Sequence, residues 1–152
     1  MNIRLMSVIM SVLLFALAFA LPARAQELDL SAYKGKVVYL DFWASWCVPC
    51  RLSFPWMNQL QQSYASKGVV VVAVDVDRDR AQADEFLGQM PHAFRIVYDP
   101  SGHIARQFDF KDMPTSVLIG RDGKSHFVHS GFYPAREGEY VAHLESLVGG
   151  GN

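Results

Sequence analysis

Cysteine is scarce in this chain: 152 residues carry two, Cys47 and Cys50. A lone Cys-x-x-Cys lacks the second ligand pair that a tetrahedral zinc site needs. Charge is also sparse and evenly spread. There is no basic patch to hold a nucleic-acid backbone and no long run of one sign. No acidic residue precedes Glu27, and Arg4 and Arg24 are the basic residues before Gln26. The chain from Gln26 onward therefore carries 12 basic and 15 acidic residues, a net of −3. No period of the kind that builds solenoids is visible. The length suits one domain and is too short for two.

The apolar residues are unevenly placed. Met1 to Arg4 is short and positive, Leu5 to Leu21 is an unbroken apolar and small-residue run, and Pro22 ends it before Ala23-Arg24-Ala25. A basic start, an apolar core and a small-x-small site are the marks of an export signal cut after Ala25. The alternative is an uncleaved membrane anchor, since the run falls between a signal core and a spanning helix in length. No cysteine lies at the site to take a lipid. On either reading the domain is exported, most simply to a periplasm. The expected organisation is a signal peptide over 1–25, one domain over 26–148 and a flexible glycine tail over 149–152.

The two cysteines sit between two contrasting stretches. Val37-Val38-Tyr39-Leu40-Asp41-Phe42 is apolar and β-prone, which predicts a buried strand. Arg51 to Ser66 repeats apolar residues at Trp56, Met57, Leu60 and Tyr64, which predicts a helix. A helix start stabilises a thiolate, so the first cysteine gains nucleophilic character. Cys47, at the exposed lip, is placed to attack, and Cys50, one turn in, to resolve the mixed disulfide. In an exported protein a cysteine pair is usually a structural staple. Here it would close a loop too small to restrain much unfolded chain, and redox chemistry fits the position better. Asp41 points from the buried strand toward the motif. A buried carboxyl has a raised pKa and exchanges protons near neutrality; the plainer alternative is a strand-end acid that only accepts hydrogen bonds.

Further on, Val69 to Val74 is apolar on both faces and predicts a central parallel strand, closing a βαβ unit. Asp75-Val76-Asp77-Arg78-Asp79 lacks the glycine and distal glutamate of a calcium loop and reads as a solvated turn with a helix N-cap. A helix over 80–90, a short strand over 94–98, one or two helical turns over 103–108 and a strand over 116–119 follow. An Arg121-Asp122-Gly123-Lys124 hairpin turn leads to a partner strand over 125–130, and a closing helix covers 136–148. This order predicts an α/β fold: a mixed central sheet flanked by helices on both faces.

Asp41-Phe42-Trp43-Ala44-Ser45-Trp46-Cys47-x-x-Cys50, with Met113-Pro114-Thr115 before a strand and an Asp-Gly hairpin, resembles the thioredoxin superfamily. The segment between Arg80 and Tyr98, the Asp99-Pro100-x-Gly102 turn and the export signal resemble its TlpA/ResA branch of exported thiol–disulfide oxidoreductases. The resemblance implies a thioredoxin-like fold and a redox-active Cys47–Cys50 pair. It also implies that Pro114 is cis and faces the disulfide, and that Asp41 deprotonates Cys50. The Met113 backbone would pair with an extended substrate chain, with Trp46, Pro114 and Thr115 beside it. Trp43 reads as mostly core, and Arg51 as a positive charge beside the thiolates. Thioredoxin proper has a lysine near the acid; Val69 to Val74 offers none.

The Val48-Pro49 dipeptide bears on direction. Strong oxidants of the DsbA type place a histidine between the cysteines, which stabilises the thiolate and so the reduced form. Val-Pro cannot do this, and the expectation is a reductase of protein disulfides, with oxidase or isomerase as the alternative. Re-reduction would come from a membrane electron donor of the DsbD/CcdA kind. The branch's best-known substrate is apocytochrome c, but cytochrome-maturation members carry a glutamate after the cis-proline where this chain has Thr115-Ser116. A general exported reductase therefore stands beside that role. Residues 40–47 do not match the peroxidatic pattern of peroxiredoxins. Copper handling would need an imidazole near the thiolates, and His126 and His129 point to opposite faces of a strand, so at most one can turn inward. The reading calls for no cofactor, no metal and no nucleic acid.

Overall fold

The structure, a computed structural model, describes residues 28–109 and 111–150. The expected signal peptide lies outside them. Strand β1, Val37–Trp43, is buried along its whole length. Strand β2, Val69–Asp75, lies parallel to it, with Val37 beside Val69 and Trp43 beside Asp75. A third strand, β3, Arg95–Tyr98, extends the parallel side. On the other flank β4, Thr115–Ile119, runs antiparallel to β1, and β5, Ser125–Ser130, antiparallel to β4. The five strands form one sheet, mixed as the sequence predicts, in the order β3-β2-β1-β4-β5.

Helix α1, Val48–Tyr64, opens directly after the motif's first cysteine. Pro49 is tolerated in its first turn, where a backbone N–H has no helical partner in any case. Pro55 lies inside the helix and withholds the bond that would reach the Arg51 carbonyl. A short 3-10 turn, Ala65–Lys67, and then Gly68 in the left-handed conformation (φ 81°) turn the chain into β2. Helix α2, Arg80–Gln89, and helix α3, Glu137–Gly149, complete the set of α-helices among the described residues.

The expected helical cover is present on both faces but uneven. Period-two alternation sends Tyr39 and Trp43 of β1 to the face where residues of α1, α2 and α3 pack, and Val38, Leu40 and Phe42 to the other. The second face is closed by 3-10 turns at Leu30–Tyr33 and Ala105–Gln107 and their neighbours. On the first face Phe54 of α1 lies edge-on to Trp43 (4.8 Å), Phe86 (4.9 Å) and Phe94 (5.4 Å). Trp56, a few residues along α1, meets Tyr39, Phe132 and Tyr140. These rings fix α1 to the sheet and to its neighbouring helices.

Phe54→Ala should accordingly cost about 3–5 kcal/mol in urea denaturation. A loss below about 1 kcal/mol would show that the aromatic cluster does not anchor α1.

Candidate functional site

Cys47 is the N-cap of α1, in extended conformation, and its carbonyl accepts the Cys50 N–H at 3.2 Å. Its own N–H donates to the Ala44 carbonyl at 3.1 Å. The two sulfurs are joined in a disulfide, S–S 2.05 Å. Cys47 is not an open lip: it is 4% exposed, and Cys50 is fully buried. The exposure belongs to its neighbours, Trp46 at 65% and Val48 at 72%. Leu52, one turn further along α1, is 55% exposed and extends this apolar rim. Local patterning did not single Leu52 out, because an isolated exposed leucine on a helix is unremarkable until its neighbours are known.

Asp41 is fully buried in the centre of the sheet, between Ala73 of β2 and Ser116 of β4. Alternation puts it on the face that carries α1. The Ser116 hydroxyl donates to its Oδ1 at 2.6 Å, and the Tyr39 phenol donates to Ser116 Oγ at 2.7 Å. Asp41 Oδ2 is buried without a hydrogen-bond partner. Burial pushes the carboxyl up to about 7, against the lowering effect of the Ser116 bond. Burial, and then the nearby Asp41 charge, holds the Tyr39 phenol well above its ordinary value.

Pro114 follows Met113 through a cis peptide bond, the geometry the motif context predicts. Its carbonyl accepts the N–H of Gly131 (φ 72°) at 2.8 Å, so the end of β5 holds the loop. Met113 is half-buried against the cluster that contains both cysteines. Thr115 is fully buried, and its hydroxyl donates to the Asp112 carbonyl at 2.6 Å. Its side chain ties down the loop and does not face outward. Trp43 is fully buried, in keeping with a core role.

The acidic turn after β2 also differs from expectation. Asp79 is exposed and caps α2 through the Ala81 N–H, but Asp75 and Asp77 are buried. Asp77 accepts from the Ser45 N–H (2.7 Å) and the Ser45 hydroxyl (3.1 Å), clamping the motif loop two residues before Cys47. Asp75 accepts from the Asp77 N–H at 3.2 Å, and burial, with Asp77 beside it, pushes its carboxyl up to about 8. Reading the turn locally, as polar and solvated, missed that the parallel β1–β2 register carries it back over the motif loop.

Arg51 and the two histidines of β5 are otherwise engaged. The Arg51 guanidinium lies over the Phe86 ring at 4.8 Å. His126 bonds to Asp122, while His129 turns to α3, where its Nε2 meets His143 Nδ1 at 2.9 Å. Burial and His143 push His129 down to about 4, so the ring is neutral. Among the described residues no three His, Cys, Asp or Glu gather as a metal site, and no helix is long and apolar enough to cross a membrane. A groove of about 290 Å³ opens beside Trp46, lined on its far side by Gln82, Glu85 and Gln89 of α2.

Residues 16–144 match the Redoxin family. A crystal structure from Chlorobium tepidum, assigned as thiol:disulfide interchange protein DsbE, is similar at a TM-score of 0.78 and 48% identity, over 86% of this chain and 92% of that one. Thiol-disulfide oxidoreductase ResA of Geobacillus kaustophilus is 32% identical over 82% of this chain and 70% of the relative. ResA of Bacillus thuringiensis subsp. konkukian is 37% identical over 65% of this chain, which spans 57% of that protein's length.

The raised Asp41 carboxyl has a consequence for stability. Between 3.8 and about 7 the folded protein holds a proton there that the unfolded chain has lost. That contribution is complete below 3.8 and disappears as pH rises through about 7. Asp75 acts in the same sense up to about 8. Asp41→Asn should remove part of the slope and make the oxidised protein more stable than wild type above the Asp41 titration, by a few kcal/mol. Urea denaturation across this pH range checks it; an unchanged slope would show that Asp41 is ionised throughout.

Proposed function

The chain belongs to the redoxin family, and from that premise we propose that it is an exported protein thiol–disulfide oxidoreductase that runs as a dithiol reductase. The observation that carries this reading is the Cys47–Cys50 pair at the N-terminus of α1, on the sheet face that buries Asp41. In the reduced protein the Cys47 thiolate, favoured by the helix start, attacks one sulfur of a substrate disulfide. A mixed disulfide forms and the other substrate sulfur leaves as a thiolate. Cys50 gives its proton to Asp41, and its sulfur attacks Cys47 Sγ. The substrate leaves as a dithiol and the Cys47–Cys50 disulfide remains, two electrons having passed to the substrate.

The surroundings fit a protein substrate. Because Cys47 is nearly covered, a partner must dock on the rim made by Trp46, Val48 and Leu52 before sulfur meets sulfur. Met113 packs against the cluster that holds both cysteines, and an extended substrate segment would lie along the Met113–Pro114 loop as an added strand. Thr115 contributes by holding the loop. Export rests on the basic-apolar-small pattern of the first 25 residues. In a periplasm re-reduction falls to a membrane thiol–disulfide donor of the DsbD/CcdA kind, because nicotinamide-linked reductases stay in the cytoplasm.

The deciding measurement is the reduction potential of the pair, by equilibration with dithiol buffers of defined potential. A value at or below roughly −250 mV is expected of an electron donor. A value above roughly −150 mV would overturn the reductase assignment in favour of an oxidase or isomerase. Trp46→Ala should leave that potential nearly unchanged while slowing reduction of a protein disulfide about tenfold, the size of one lost apolar contact. Equal rates for both proteins would remove Trp46 from the docking rim.

A further inference from the structure

Asp41 stands at the end of a hydrogen-bonded chain. The Tyr39 phenol donates to Ser116 Oγ, and the Ser116 hydroxyl donates to Asp41 Oδ1, at 2.7 and 2.6 Å. All three groups are at least 95% buried. The chain has one sense. Ser116 has a single hydroxyl proton, and having given it to Asp41 it must accept from Tyr39. Reversing the chain would put a proton on Oδ1 and oblige the Tyr39 proton to find another acceptor. Among the described residues the Tyr39 oxygen has only Ser116. Oδ1 is thus committed as an acceptor, and Oδ2 is the oxygen with nothing bound to it.

We propose that Tyr39 and Ser116 are positioning residues for Asp41: they pin Oδ1 so that Oδ2 alone exchanges the Cys50 proton. The inference rests on the proposed role of Asp41 in the reductase reading and specifies how that role is set. In the resolving step the Cys50 S–H proton passes to Oδ2 and the electron pair stays on sulfur. That sulfur bonds to Cys47 Sγ, the bond from Cys47 to the substrate breaks, and the substrate thiolate takes its proton from water. The two hydroxyls stabilise the carboxylate without placing a positive charge in the core, so the acid releases its proton again after each cycle. Other titratable groups around the chain are Cys47 and Cys50 of α1, Tyr140 of α3, and His129, which lies opposite Ser116 on β5 and is neutral. β2 presents Ala73, which has none.

The test is a carbon-13 NMR titration of the Asp41 carboxyl in the oxidised protein, where neither cysteine titrates. Ser116→Ala should raise the midpoint by about one pH unit, because a donor to the charged form is lost. Tyr39→Phe, which keeps the ring packed on Trp56, should raise it by a smaller amount, and Ser116→Thr should restore the wild-type value. A wild-type midpoint in both Ser116→Ala and Tyr39→Phe would overturn the proposal, and a loss of stability alone would mark the hydroxyls as structural. Separately, release of substrate from the mixed disulfide is followed against pH in Asp41→Asn. A profile that keeps the wild-type pH dependence would overturn the role of Asp41 itself, whatever the hydroxyls do. Loss of that dependence together with an unmoved Ser116→Ala midpoint would overturn the hydroxyl chain only.

Discussion

An acid placed in the middle of the most buried strand constrains everything around it. β1 has neighbours on both edges and is buried along all seven residues, so Asp41 has no route to water along its own strand. An ionised carboxylate there costs several kcal/mol unless donors meet it. The antiparallel β1–β4 register supplies the donor by setting Ser116 opposite Asp41. The same register sets Thr115 opposite Phe42, which delivers the Pro114 loop to the end of β1 where the cysteine motif begins. One strand pairing therefore answers the acid's hydrogen-bonding need and assembles the two halves of the site.

The parallel pairing on the other edge works in a comparable way. It brings the end of β2 level with Trp43 and sends the Asp75–Asp77 turn back to the motif loop. Asp77 then holds Ser45 by two hydrogen bonds, while Trp43, packed on Phe54 and Phe86, holds the start of the same loop from below. The cysteine pair is thus held by backbone and core contacts on both sides.

Much of this was legible in the chain. The contrast between period-two and helical patterning on either side of Cys47 locates the strand–helix junction, and the Asp41 position follows from alternation within seven residues. These are local signals. The hydrogen-bond partner of Asp41 is not local: Ser116 is 75 residues away, and their meeting depends on a register that no window of sequence contains. The same reason hid the burial of Asp75 and Asp77, whose composition is that of a solvated turn until β1 is placed beside them. Cys47 was misjudged for a different reason. A motif at a helix start is near the surface, but its cover includes contacts from far along the chain, such as Met113 packed against the cluster that holds both cysteines. Nor does strand alternation reveal that His129 is paired with His143 from the last helix.

The electrostatics around the cysteines bear on which redox form the site favours. A thiolate at Cys47 has the N-terminus of α1 to stabilise it. It gains little from Arg51, whose guanidinium is turned onto the Phe86 ring. Nor does a histidine stand between the cysteines. On the other side of the balance, the buried acids near the motif each resist adding negative charge, as the upward displacement of Asp41 and Asp75 records. An arrangement with modest thiolate stabilisation and acids that prefer to be neutral gives the reduced form no special advantage. That balance supports the proposed reading, in which the disulfide is the favoured resting product and the protein passes its electrons on. On the proposed reading that transfer depends on pH, because the proton Cys50 loses would pass to Asp41, a carboxyl that burial raises to about 7 against the lowering effect of the Ser116 hydroxyl.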